Sequence, residues 1–216
     1  ATVYQDHVLK QASGCTITDV DGNELFDLES GQICSIVGHG HYKLIDRITS
    51  QMQSLVHAGT GFVCEPVFEA ARKIAAIAPG QLKKSLLLST GAEANEAAFR
   101  IARTYTGKRG IVGFDQGYSG LTLQTKSVGG NSRDTATAAP GNFKILTPDC
   151  VHCPVRSEHP GCEFLCLKVS ERMLFNHCQD HVAGVIVEPI LSAGGMIVPP
   201  QGYFKKLKNG EIRQIQ

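Results

Sequence analysis

Polar and apolar residues alternate along TITDVDGNELFDL, Thr16 to Leu28, on either side of Asp21-Gly22-Asn23. A period of two flanking turn-forming residues predicts two short strands joined as a β-hairpin. The next stretch, SGQICSIVGHGH, has two late glycines and two histidines and predicts a loop. Beyond it the pattern becomes helical. From Glu65-Pro66, Val67, Ala70, Ala71, Ile74 and Ile77/Ala78 recur at helical spacing until Pro79-Gly80, which predicts a helix with one apolar face. Ser85 to Leu88 is a short apolar run suited to a buried strand. It leads through Ser89-Thr90-Gly91 into a helix predicted from about Ala92 to Thr106, with a buried stripe of Ala94, Ala97, Ala98, Ile101, Ala102 and Tyr105. Gly107 stands where a C-cap glycine belongs.

The alternation continues with a strand at Gly110 to Phe114, a Gly-rich turn, a helical stretch and a strand near Phe143 to Leu146. A helix near Glu163 to Cys178 and a strand at Val182 to Val187 complete it. Strands alternating with helices predict an open α/β sheet, mainly parallel, with ligands beyond the carboxyl ends of the strands. Ser127 to Gly141, rich in Gly, Ser, Thr and Ala, predicts a long surface loop.

Composition narrows the picture. With 42% hydrophobic and 19% charged residues, the 216-residue chain reads as globular. A net charge of +1 gives no field of one sign, which argues against nucleic acid or an anionic membrane as the main partner. The longest apolar stretch, Val182 to Val187, is far short of the roughly 20 residues that span a bilayer. A small-molecule substrate is the expectation. Cys15, Cys34, Cys64 and Cys178 sit in apolar or strand-like contexts, where a free thiol behaves as a small hydrophobe, so an intracellular reducing compartment, cytoplasm or mitochondrion, is expected. Because residue 1 is Ala, the natural N-terminus is expected upstream.

In LLLSTGAEANEA a strand meets a helix through Ser89-Thr90-Gly91-Ala92, leaving the first helical amides able to bind an anion. The competing reading is a plain capped helix, with Thr90 or Ser89 and Glu93 as a capping box, and spacing alone favours it. Four stretches then occur in order: SGQICSIVGHGH, STGAEANEAAFRIARTYTGK, GFDQGYSG and VIVEPILSAGG. In this order they resemble the class-III aminotransferases, which use pyridoxal phosphate. The resemblance implies the type I pyridoxal-phosphate transferase fold, like that of aspartate aminotransferase, here incomplete. Residues 1–60 would form an N-terminal segment with the hairpin, part of a small domain. Residues 61–216 would form an incomplete large cofactor-binding domain, with a Cys-rich insertion at 148–168.

The resemblance also implies roles. Thr90, Gly91 and Ala92 would cradle the cofactor phosphate, with Asn95 in support. Tyr118 would stack on the ring, and Glu188 would lie near it. Where the family usually places His-Gly, this chain has Ser119-Gly120. Ile190 to Gly195 and Gln32 resemble the dialkylglycine decarboxylase branch, in which a glutamine binds the departing carboxylate, so Gln32 and Ser192 are the implied substrate-binding residues. The implied activity is transamination, decarboxylating in that branch, between an amino acid and a 2-oxo acid, in a homodimer or tetramer.

Cys150, Cys153, Cys162 and Cys166 have a spacing able to close a tetrahedral zinc site, although a reduced-thiol or structural role is preferred. The family supplies the pyridine-nitrogen partner from an Asp-Glu-x-Gln sequence and the Schiff-base lysine from a later Ser-Lys pair. Neither sequence occurs within these residues, and the match stops after Leu207. Lys205, Lys206 and Lys208 read as solvated helix lysines. The chain is therefore expected to be a fragment inactive by itself. The alternative from another class is a non-catalytic remnant that binds a partner or, through the cysteine loop, a metal.

Overall fold

The computed structural model describes residues 6–59, 61–130, 139–178 and 181–209. They form two compact units, Ala1–Ser85 and Leu86–Gln216. The helix that begins at Glu65, assigned from sequence to the second segment, belongs to the first.

In the first unit, β1 (Leu9–Ser13), β2 (Thr16–Asp19) and β3 (Glu24–Phe26) form an antiparallel sheet in that order. The predicted hairpin is β2–β3, with Ile17 opposite Leu25. β1 escaped notice because LKQAS lacks apolar alternation and is almost wholly exposed. The buried Asp19 organises the turn by accepting hydrogen bonds from the Asn23 side-chain amide (2.9 Å), His7 Nδ1 (2.8 Å) and the backbone N–H groups of Asp21 and Asn23. These bonds, the Asn23 side chain first, hold its carboxyl well below the ordinary range.

The predicted loop contains a single left-handed turn, α1 (Ser30–Ile33), with φ of 54°, 56°, 57° and 68° at its four residues. α2 (Tyr42–Ser54) and α3 (Glu65–Ile77) follow, α3 beginning with Pro66 in its first turn, where no amide partner is lost. The apolar face expected on α3 is not covered: Val67, Ile74 and Ile77 are all exposed. Cys15 and Cys34, expected to pack as small hydrophobes, are also exposed because they lie in the β1–β2 turn and at the end of α1.

In the second unit, β5 (Asn142–Ile145), β4 (Gly110–Phe114) and β6 (Val182–Val185) form a parallel sheet with β4 central. Every residue of β4 is buried, as a strand covered on both faces must be. Its period of two separates two cores. Val112 and Phe114, with Ile145, pack on α6 (Leu165–Cys178) and on Tyr203 and Leu207 of α7 (Tyr203–Asn209). On the opposite face Ile111 packs with Phe99 of α4 (Gly91–Thr106) and Val128 of α5 (Leu123–Val128). The Tyr203 hydroxyl is buried with no hydrogen-bond partner among the described residues, and burial pushes its pKa well above the usual phenol value.

Two local expectations are corrected. The run Ser85 to Leu88 is not a strand: Leu86, Leu87 and Leu88 are 63, 45 and 46% exposed, and among the described residues no strand pairs with them. Extended apolar backbone becomes a strand only when a neighbour satisfies its amides and carbonyls. In α4, Ala94, Ala98, Ile101 and Tyr105 of the expected stripe are exposed and Ala97 and Ala102 are half-buried, Ala102 against the core, while Ala92, Asn95, Glu96 and Phe99 turn inward at i, i+3, i+4 and i+7. That inner face is half polar, so hydrophobic periodicity marks only part of it. The predicted loop at Ser127 to Gly141 begins inside α5, and residues 131–138 lie outside the described residues.

Candidate functional site

Thr90 takes an extended conformation as N-cap of α4, and its hydroxyl accepts the Glu93 N–H at 3.1 Å. Glu93 reaches back to the amides of Thr90 (3.0 Å) and Ser89 (3.1 Å), completing the capping box anticipated from the sequence. That leaves Gly91 and Ala92, the first helical positions, whose amides lack intrahelical acceptors. No heavy atom beyond the local chain lies within 4 Å of where a Gly91 side chain would begin. A phosphate can reach these amides, and the helix dipole favours its charge there.

The loop after β4 is pressed against this helix start. Gly120 has φ of +128°, and a Cβ there would stand 2.6 Å from Ala92 Cβ and 2.9 Å from Thr125 Oγ1, so only glycine permits the approach. Asn95 Nδ2 donates to the Ser119 carbonyl at 2.8 Å, and thus supports the Tyr118 loop rather than the Thr90 turn itself. From beyond β6, Glu188 Oε1 accepts the Tyr118 N–H at 2.6 Å, while the Tyr118 ring is half-exposed. Thr90, Gly91, Ala92, Asn95, Tyr118 and Glu188 are therefore gathered at the carboxyl ends of β4 and β6, the position at which open α/β sheets bind ligands. A narrow cavity there is lined by Gly117, Ser119, Ile186 and Glu188.

Ser192 is exposed in the turn after β6, where its carbonyl accepts the amides of Gly195 and Met196. This turn packs beside the Tyr118 loop, since a Cβ at Gly194 would stand 2.7 Å from the Gln116 carbonyl oxygen. Gln32 is exposed in the first unit, and its left-handed backbone is a strained state for a non-glycine residue. Lys205, Lys206 and Lys208 are exposed on α7, as expected.

Sequence reasoning missed Glu96 and Arg103. Glu96 Oε1 accepts the Thr122 hydroxyl (2.6 Å) and the Gln124 N–H (3.2 Å). Arg103 ties α4 to Gln124, Asn142 and the Arg109 carbonyl. Their partners are distant in sequence, and no local pattern announces them.

The four clustered cysteines do not form a ligand set. Among the described residues no group of three or more His, Cys, Asp or Glu side chains is arranged to hold a metal ion. Cys150 is exposed in the loop after β5, whereas Cys166 is buried in the first turn of α6. Burial, then the neighbouring thiols of Cys153, Cys162 and Cys150, pushes the Cys166 pKa up. Asp149 opens the same loop by accepting the amides of Val151 and His152, each at 2.9 Å.

Residues 2–210 match the family model described as aminotransferase class-III. An uncharacterized aminotransferase of Schizosaccharomyces pombe is 37% identical over 95% of this chain and 46% of its own length. The isoleucine 2-epimerase of Lentilactobacillus buchneri is 32% identical over 94% of this chain and 46% of its own length. This chain thus spans about half the length of the curated relatives it matches. Among solved structures, a Bacillus anthracis aminotransferase superposes with a TM-score of 0.86 at 26% identity, over 98% of this chain and 51% of the other. An amine transaminase from an uncultivated Pseudomonas species, in its PLP-bound form, superposes with a TM-score of 0.85 at 25% identity, over 97% and 50%. The architecture is that of the pyridoxal-phosphate transaminases.

Proposed function

The chain belongs to the class-III aminotransferase family, and on that premise we propose that it binds pyridoxal 5′-phosphate at the α4 start and serves transamination between an amino acid and a 2-oxo acid. The observation that carries this reading is the close approach of Gly120 to Ala92, which holds the loop that carries Tyr118 against the start of α4. When bound, the cofactor supplies an electron sink for the substrate carbon. The chain's own residues bind and orient. The Gly91 and Ala92 amides donate to the phosphate, Tyr118 offers an aromatic face, and Glu188 fixes the Tyr118 backbone from the β6 side.

Ser192 is proposed as a substrate-binding residue of the second unit, and Gln32, through an amide donor without fixed charge, as one of the first. Gln32 and the Ile190 to Gly195 variant favour the decarboxylating branch of dialkylglycine type. The family's Asp-Glu-x-Gln and Ser-Lys motifs, which would supply the pyridine partner and the lysine, do not occur within these 216 residues. Assembly as a homodimer or tetramer, in a reducing intracellular compartment, completes the proposal.

The test is a titration with pyridoxamine 5′-phosphate, which cannot condense with surface lysines. Saturable binding displaced by inorganic phosphate is expected. Equal binding of pyridoxamine without its phosphate would refute the α4 cradle.

A further inference from the structure

From Tyr118 onward, the loop after β4 is fixed to the rest of the second unit by three side chains. Glu188 holds the amide of Tyr118, and Asn95 holds the carbonyl of Ser119. The third is Glu96 at the loop's far end, whose Oε1 accepts both the Thr122 hydroxyl at 2.6 Å and the Gln124 amide at 3.2 Å. Thr122 is in turn 2.8 Å from the hydroxyl of Thr125, which is fully buried, and Thr125 Oγ1 is one of the atoms against which Gly120 is pressed.

Ala92, Asn95 and Glu96 share one face of α4. The residue that touches Gly120 and the two side chains that grip the loop are therefore built on a single rigid element. A charge-assisted bond at 2.6 Å is among the stronger contacts available to a partly buried carboxylate.

We infer that Glu96 is a positioning residue of the cofactor site: it fixes the distance between the Tyr118 ring and the Gly91–Ala92 amides by anchoring the loop's far end to the same helix that offers those amides. The inference rests on the cofactor reading above. Glu96 need not touch the cofactor, and its effect passes through Tyr118. Both donors meet the single oxygen Oε1, so a glutamine, whose Oε1 accepts without the charge, keeps most of the grip and loses the charge-assisted part.

The test measures pyridoxamine 5′-phosphate affinity for four forms of the chain: parent, Glu96→Ala, Glu96→Gln, and Glu96→Ala in a Tyr118→Ala background. Glu96→Ala is expected to weaken binding about tenfold, the loss of roughly one good hydrogen bond, and Glu96→Gln less than threefold. In the Tyr118→Ala background Glu96→Ala is expected to add less than about a twofold change, because the route to the cofactor is already cut. A contact that serves stability alone would weaken both backgrounds equally, and that result overturns the inference. Parent binding that is indifferent to Glu96→Ala overturns it while leaving the cofactor reading intact. No binding by the parent overturns both. Hydrogen exchange without cofactor gives a second readout: amides of 117–124 should exchange faster in Glu96→Ala than in parent or Glu96→Gln, and unchanged exchange overturns the anchoring role.

Discussion

Replacing Gly120 by alanine tests the geometry on which the site depends. The new Cβ would lie 2.6 Å from Ala92 Cβ and 3.0 Å from Ala92 Cα, whereas ordinary contact begins near 3.4 Å. The loop and α4 would have to separate by about 0.8 Å, and neither side can yield by rotating a flexible side chain. The φ of +128° adds strain, since it lies outside the left-handed basin that L residues tolerate. Together these cost about 2–4 kcal/mol, equivalent to a fall in melting temperature of roughly 5–15 °C for a chain of this size. Gly195→Ala is the matched control, because Gly195 has φ of +114° but nothing within 4 Å of its Cβ position. Calorimetric melts of both variants separate strain from overlap. Gly120→Ala should melt well below Gly195→Ala and lose cofactor affinity. Equal melting of the two would refute the tight loop–helix contact.

Thr90→Ala removes the acceptor for the Glu93 amide and should lower stability by about 1 kcal/mol, with Thr90→Ser close to parent. Urea midpoints at unchanged slope would check it. Tyr203→Phe removes a buried hydroxyl with no partner among the described residues, and should be neutral or raise stability by about 1 kcal/mol, read from the same midpoints. The Asp19 carboxyl titrates lower in the folded chain than in the unfolded one, so its stabilisation is present above about pH 4 and fades as pH falls below it. Asp19→Asn should therefore be less stable than parent at pH 7, with the gap beginning to narrow below about pH 4 and part of it remaining at about pH 3.

Much of the second unit was legible because its signals are local. β4 falls at the predicted residues, and the Thr90–Glu93 capping box and the Gly107 cap lie within a few residues of their partners. The gathering of the α4 start, the Tyr118 loop and Glu188 was legible only through ordered motifs resembling a family, since the contacts that make it span 24 to 70 residues of chain. Glu96 and Arg103 were invisible for the same reason, and the half-polar inner face of α4 left only Ala97 and Ala102 of the expected apolar stripe partly buried. Ser85 to Leu88 misled because an apolar run states what could be buried and not what pairs with it. The cysteine spacing brings Cys150, Cys153, Cys162 and Cys166 near one another, but spacing does not record whether their side chains are arranged to hold a metal, and among the described residues they are not.

The most direct test of the central claim is hydrogen exchange of the chain with and without saturating pyridoxamine 5′-phosphate, followed peptide by peptide. Binding at the α4 start predicts slowed exchange in two separate segments, residues 89–93 and 117–120, with inorganic phosphate reproducing the first and not the second. Protection confined to other segments, or protection of neither despite saturable binding, would contradict the placement of the cofactor between Gly91 and Tyr118.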